Sequence, residues 1–168
     1  GVRSVAWSPD GDSLASGGWD ALTKVWDAVR GVELVRLKGH RGAVFDVAWG
    51  PDNVRLATAG GDRSVRIWDS ITATEVTRLR GHNDYVDAVT WSPDGKRLVS
   101  ASFDNSVRIW DPDTGKETFV LPDSQGMFHS ISWSPDGTRI AAACSDGQVW
   151  IWDATQGNEQ ASALRSPP

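Results

Sequence analysis

The chain is 168 residues long, enough for one domain with a real core, and mildly acidic at net −5, its Lys and Arg spread evenly among Asp and Glu. That balance argues against a nucleic-acid backbone or an anionic membrane as partner, since both select a basic stripe. Cys144 is the single cysteine, which excludes an internal disulfide framework and a Cys-based metal site. No apolar run approaches a membrane span and no signal peptide is visible, so a cytoplasmic location is expected. The chain opens on Gly1 in mid-repeat without an initiator Met, as a processed or trimmed piece would.

The first unit carries Trp7, the turn Ser8-Pro9-Asp10-Gly11, and then Leu22-Thr23-Lys24-Val25-Trp26-Asp27. The same order returns at a fixed interval: Trp-Asp pairs begin at 26, 68, 110 and 152, and a second Trp stands at 7, 49, 91 and 133, each 42 residues after the last. A period in this range means one supersecondary unit copied along the chain, and units that cannot bury their own apolar faces must stack.

The second unit shows the strands best. Ala43 to Trp49 is a short β-branched and aromatic run, and Pro51-Asp52-Asn53 supplies a tight turn after it. Arg55 to Ala59 is a second strand, Gly60-Gly61-Asp62 the next turn, and Ser64 to Trp68 a third strand. Glu75 to Leu79 is a fourth, more polar one. The third unit repeats this through Ser92-Pro93-Asp94-Gly95 and Ser106 to Asp111, and the fourth through Ser134-Pro135-Asp136-Gly137 and Gln148 to Asp153. No helical period survives anywhere. Four antiparallel strands copied four times predict an all-β fold, a β-propeller segment with blades at about 1–38, 43–80, 85–122 and 127–166.

The apolar first strand of each unit suits the crowded inner edge. The fourth, carrying Glu33, Arg36, Glu75, Thr77, Arg78, Glu117 and Gln160, suits a solvated outer edge guarded by charge. The turn after each Trp-Asp ends in Gly31, Gly115 and Gly157, where φ > 0 is expected, with Ala73 as the strained exception.

Gly39-His40 … Trp68-Asp69 and Gly81-His82 … Trp110-Asp111 resemble the WD-repeat family of β-propellers, and the resemblance covers the whole chain. It implies a rigid disc displaying a binding face for a protein or peptide, without enzymatic activity or cofactor. Fold alone does not name the ligand.

His40, Thr58 and Asp62, and likewise His82, Ser100 and Asp104, have the composition of a hydroxyl nucleophile, its base and an orienting carboxylate. The resemblance implies another use: buried hydrogen-bond chains His40–Thr58–Asp62–Trp68 and His82–Ser100–Asp104–Trp110 that pin strand to strand. Recurrence once per blade favours this structural use. The fourth repeat keeps Asp146 and Trp152 but has Ser124 and Ala142 in place of His and hydroxyl, a joint loss that would avoid an unpaired polar group. The first keeps Ser16, Asp20 and Trp26 but has no His within the chain, and position 166, one period past Ser124, offers only Ser.

An arc of four blades would leave an apolar face open at each end. A second copy joining head to tail into an eight-bladed ring, or the missing blades of a longer parent, would close it; a freestanding four-bladed ring ranks third.

By the same resemblance the entrance face takes three positions per blade: Gly1, Arg3 and Trp19; Ala43, Phe45 and Gly61; Tyr85, Asp87 and Phe103; Met127, His129 and Ser145. Trp19, Tyr85 and Phe103 are expected to form one apolar rim for a peptide anchor, with Arg3 and Asp87 setting its orientation. Phe45 and Met127 either join this face or fill the gap between blades. The competing reading is a propeller enzyme of lactonase-like type with a channel-mouth metal, but its ligand set would be reduced to Asp87 and His129. Trp150, standing where other repeats have Lys24, Arg66 and Arg108, is expected to touch a neighbouring blade or chain.

Overall fold

The computed structural model describes residues 1–121, 126–155 and, as backbone, 161–164. Short β-branched runs cut by Pro-Asp-Gly and Gly-containing turns give only strands among these residues. Blade one holds β1 (Val2–Trp7), β2 (Ser13–Gly18), β3 (Leu22–Asp27) and β4 (Val32–Lys38). Blade two holds β5 (Val44–Trp49), β6 (Arg55–Gly60), β7 (Ser64–Asp69) and β8 (Thr74–Arg80). Blade three holds β9 (Val86–Trp91), β10 (Leu98–Ser102), β11 (Val107–Trp110) and β12 (Glu117–Leu121). Blade four holds β13 (Phe128–Trp133), β14 (Arg139–Cys144), β15 (Val149–Asp153) and β16 (Ala161–Leu164). Each blade is one antiparallel sheet in sequential strand order.

The first strands β1, β5, β9 and β13 run side by side along the axis, so the blades fan out from it. The core lies between sheets. Ala57, Ala59, Val65, Ile67 and Leu79 of blade two pack against Val86, Val89, Trp91, Leu98 and Trp110 of blade three. The arc is not closed. Val2, Val5 and Trp7 of blade one are 67 %, 59 % and 63 % exposed, whereas their counterparts Val86, Val89 and Trp91 are at 0 %, 3 % and 6 %.

Two local departures from ideal strands position side chains. Every first strand carries a bulge: the register passes from Val2 to Ser4, from Val44 to Asp46, from Val86 to Ala88 and from Phe128 to Ser130. The residues left out of the ladder are Arg3, Phe45, Asp87 and His129. The turns after Trp-Asp hold Gly31 and Gly115 at φ 67° and 70°, and Ala73 adopts the same left-handed corner at 60° despite its Cβ. Gly157 and the outer-strand Gln160 lie outside the described residues. On the outer edge Arg36 grips Glu33 with two bonds of 2.8 and 3.0 Å, and Arg78 does the same to Glu75.

Candidate binding face and its buried supports

In blade two the Gly39 backbone runs directly over the Trp68 ring; a Cβ there would come 2.9 Å from the indole and 2.5 Å from Arg66 Nη1. That close approach turns His40 inward. The Trp68 indole N–H donates to Thr58 Oγ1 (2.9 Å), His40 Nε2 meets the same hydroxyl at 2.7 Å, and His40 Nδ1 meets Asp62 at 2.9 Å. One proton arrangement serves all three bonds. Nδ1–H donates to the carboxylate, and the Thr58 hydroxyl donates to Nε2 while accepting from Trp68. Burial pushes the Asp62 carboxyl up, but His40, Ser64 and the Arg41 N–H, all donating to it, hold it well below the usual carboxylate range. Buried Arg66 bridges Asp62 (2.9 Å) and Glu75 (2.6 Å).

Blade three repeats this with Trp110 to Ser100 (2.8 Å), His82 to Ser100 (2.7 Å) and His82 to Asp104 (3.0 Å). Burial lowers the His82 pKa more than Asp104 raises it, so the ring is neutral at pH 7. Thr58 and Ser100 are fully buried, and no substrate can reach either hydroxyl.

The outer two blades differ. In blade one Ser16 accepts from Trp26 (2.9 Å), while Asp20 is exposed and accepts from the Leu22 N–H (3.3 Å), so this blade's polar chain, which has no His, is incomplete. Where His40 sits in blade two, blade one has a cavity of about 210 Å³ bordered by Ser16, Asp20, Lys24 and Trp26. In blade four the joint loss does not avoid an unpaired group. With Ala142 opposite it, the Trp152 indole N–H is buried and has no partner among the described residues. Ser124 and Ser166 lie outside the described residues. Trp150 packs against the core cluster that blades three and four share, stacks on Trp152 of its own blade (centroids 6.1 Å apart, planes at 19°) and donates to Asp146 Oδ2 at 3.3 Å. It thereby takes over the place that Arg66 holds over Trp68.

On the entrance face, one backbone bond per blade ties the turn to the start of the first strand. The donors are Trp19, Gly61, Phe103 and Ser145, and the carbonyls are those of Gly1, Ala43, Tyr85 and Met127. The side chains carried there make a ladder across all four blades. Trp19 meets Phe45 edge to face (5.7 Å), Phe45 meets Tyr85 (5.7 Å), Tyr85 meets Phe103 (6.2 Å), and Phe103 meets His129 edge to face (5.1 Å). Trp19, Tyr85 and Met127 are exposed, while Phe45 and Phe103 are half-buried between them. Phe45 is thus held between a ring of blade one and a ring of blade three.

Asp87 is buried beneath this ladder. It bridges Arg3 (3.5 Å) and His129 Nδ1 (3.2 Å) and does not stand out toward a partner. Beside it Asp46 accepts from Ser4 (2.7 Å) and from the Val47 and Val89 N–H groups. Burial raises the Asp46 pKa in spite of those bonds. These groups border a polar hollow of about 170 Å³ on the axis. Among the described residues no three His, Cys, Asp or Glu converge so as to hold a metal ion. The bulges are what sequence reasoning missed; the polar and aromatic mixture at 3, 45, 87 and 129 is their one outward sign.

The family model described as the IFT122 first beta-propeller matches residues 1–168. A probable cytosolic iron-sulfur protein assembly protein 1 of Cryptococcus neoformans is 61 % identical over 28 residues, which is 17 % of this chain and 6 % of that protein. The dynein assembly factor with WD repeat domains 1 of Xenopus laevis is 41 % identical over 44 residues, 26 % of this chain and 11 % of its own. The similarity thus spans a small part of either relative's length. No helix among the described residues is long and apolar enough to cross a membrane.

Proposed function

The chain belongs to the family of the IFT122 first beta-propeller, a WD-repeat propeller, and from that premise we propose that it is a non-enzymatic scaffold that holds a protein or peptide on its aromatic entrance face. The observation that carries this reading is the unbroken ladder Trp19–Phe45–Tyr85–Phe103–His129. Rigid aromatics on a strand framework give large contact area at small entropic cost. The buried Arg3–Asp87–His129 cluster fixes the underside of the ladder, and the exposed faces of Trp19, Tyr85 and Met127 receive an apolar anchor. The two relatives are named for assembly of other complexes, which supports an assembly adaptor working in the cytoplasm. Further blades complete the ring, from a second copy of the chain or from the rest of a longer parent. No basic stripe or membrane-crossing helix among the described residues speaks for nucleic acid or membrane as partner.

Panning a random peptide library against the protein tests this. Selected peptides should share an apolar or aromatic anchor. Trp19→Ala or Phe103→Ala should weaken them by about 2 kcal/mol, roughly 30-fold, with folding intact. Arg36→Glu on the outer edge should change nothing. Peptides that bind both aromatic variants as tightly as the parent would refute the assignment.

A further inference from the structure

Blade two carries three arginines that its fold does not use. Arg41 stands in the loop before β5, Arg63 in the turn between β6 and β7, and Arg80 at the end of β8. The backbone brings them round one turn. The Arg41 N–H donates to Asp62 Oδ2 (3.0 Å), Arg63 follows that aspartate in sequence, and Arg80 faces Ser64 across the β7–β8 ladder. All three are exposed, and among the described residues none of them makes an ion pair. Other arginines are committed elsewhere. Arg66 bridges Asp62 and Glu75, and Arg78 holds Glu75. Arg55 and Arg97 lie over the Trp91 and Trp133 rings of the following blades (4.7 and 4.5 Å). Asp62 itself is already engaged by His40, Ser64, the Arg41 N–H and Arg66, so it is not a partner left waiting for the exposed three.

The repeat shows that a blade does not require these side chains. Shifted by the period of 42, the three positions hold Asn83, Asn105 and Pro122 in blade three and Gln125, Gly147 and Leu164 in blade four; blade one has Ala21 and Lys38 at two of them. Arg63 sits at φ 64°, in the left-handed corner that Asn105 and Gly147 occupy at 68° and 83°. Asn and Gly adopt that corner readily and Arg does not. Strain kept at an exposed position, for a side chain that supports nothing within its blade, points to a displayed group. The three arginines abut the aromatic ladder. A Cβ on Gly61 would stand 3.4 Å from the Phe45 ring, and one on Gly42, next to Arg41, would stand 3.0 Å from the Gly61 carbonyl carbon. Blade two has a neighbour on each side within the chain, so the patch lies away from both open faces of the arc.

We propose that Arg41, Arg63 and Arg80 bind acidic residues of the protein segment whose apolar anchor rests on the ladder. Separate cations at three backbone positions, in a chain of net charge −5, match a run of Asp and Glu along a segment better than one compact anion. A guanidinium offers a carboxylate two parallel N–H donors, as Arg36 does to Glu33 (2.8 and 3.0 Å). The summed field of the three charges also steers an acidic segment toward this side of the face. A nucleic-acid backbone calls for a longer basic stripe, and the other blades do not continue this one. The partner class rests on the scaffold reading, to which it adds the sign of the charge beside the anchor.

Fluorescence anisotropy with labelled peptides tests this. Each peptide has the same Trp anchor, flanked by Glu, by Gln or by Lys. The glutamate peptide should bind about 30-fold more tightly than the glutamine peptide, and the lysine peptide more weakly than either. Arg41→Ala, Arg63→Gly and Arg80→Ala should each cut the glutamate preference about threefold, within the range of an exposed ion pair, and the triple variant should abolish it. Arg36→Ala on the outer edge should leave it unchanged. Raising NaCl from about 0.1 to about 1 M shortens the screening length from about 10 to about 3 Å and should bring the glutamate and glutamine peptides together. Circular dichroism of the exposed-site variants checks that folding is unchanged. No binding of the glutamate peptide, equal affinity for the glutamate and glutamine peptides, or a glutamate preference that survives the triple variant overturns the proposal. So does tighter binding, lost in the triple variant, of a single-stranded oligonucleotide or of a peptide with one phosphoserine in place of the glutamates. Trp19→Ala and Phe103→Ala separate the two readings, since they should weaken all three peptides alike. If they do not, while the arginine variants still remove the glutamate preference, the aromatic anchor fails and the arginine patch stands. If only the aromatic variants act, the patch fails and the anchor stands.

Discussion

His82→Ala measures what the buried polar chain contributes. The ring donates Nδ1–H to Asp104 at 3.0 Å and meets Ser100 at 2.7 Å and Ser106 at 3.2 Å. Asp104 keeps Ser106 (2.6 Å) and the Asn83 N–H (2.8 Å) when the imidazole goes, so it loses one charge-assisted bond and not its whole solvation, about 2 kcal/mol. Ser100 is fully buried and loses its hydroxyl's acceptor, about 1 kcal/mol more. The sum of about 3 kcal/mol corresponds to a fall in Tm of roughly 6–12 °C for a chain of this size. Thermal unfolding followed by circular dichroism at pH 7.5 reads it. Combining the change with Ser100→Ala should give less than the sum of the two single losses, since both remove the same bond. A fall of less than about 2 °C, or strict additivity with Ser100→Ala, would refute the account of a shared chain.

Three other outcomes follow from the same geometry. Ala142→Ser offers the orphaned Trp152 indole the acceptor that Ser16 gives Trp26, and should raise Tm by about 2–4 °C, worth about 1 kcal/mol, in the same melt. Gly39→Ala forces a Cβ to within 2.9 Å of the Trp68 ring and 2.5 Å of the Arg66 guanidinium, and should cost about 1–3 kcal/mol by urea unfolding; an unchanged midpoint would show that the backbone does not press on the indole. Because burial lowers the His82 pKa below its ordinary 6.5, the unfolded chain takes up a proton that the folded chain resists. The stability this group confers is therefore full above about pH 6.5 and lost as the pH falls below it; His82→Ala should flatten that part of the Tm-against-pH curve. The contribution of Asp104, whose pKa is lowered from 3.8, disappears only under more acid conditions.

The strands were legible because each first strand is a β-branched run ended by Trp and a Pro-Asp turn, so that local preference and period agree. The bulges were not. Residues 44 to 49 read equally well as an unbroken strand, and only pairing with β6 shows that Phe45 has no partner on the ladder. Asp87 was placed on the rim because it stands at an entrance-face position of the resembled family; its burial comes with Arg3 and His129, each 42 or more residues away. Trp150 keeps the contact that Arg66 makes in blade two. A Trp in place of Arg changes the chemistry of the bond to Asp146 but not its address, which is set by β15 and not by the side chain. The Arg55 and Arg97 contacts span 36 residues and join side chains that no local pattern pairs.

The first-strand bulge separates the cost of holding the sheet from the choice of what is displayed. Val44 and Val47 must be apolar and of fixed size, because both are buried in the core shared by blades one and two. Phe45, between them in sequence, answers to neither the ladder nor that core. Across the four blades this position holds a cation, an aromatic ring, a carboxylate and an imidazole, all on the same backbone geometry. At Arg3, Phe45 and His129 a mutation rewrites one letter of this set and leaves the grammar of the sheet alone, whereas buried Asp87 is held between two of the other letters. Each further blade adds another such letter, so the chemical vocabulary of the face grows with blade number while the folding problem stays that of a single repeat.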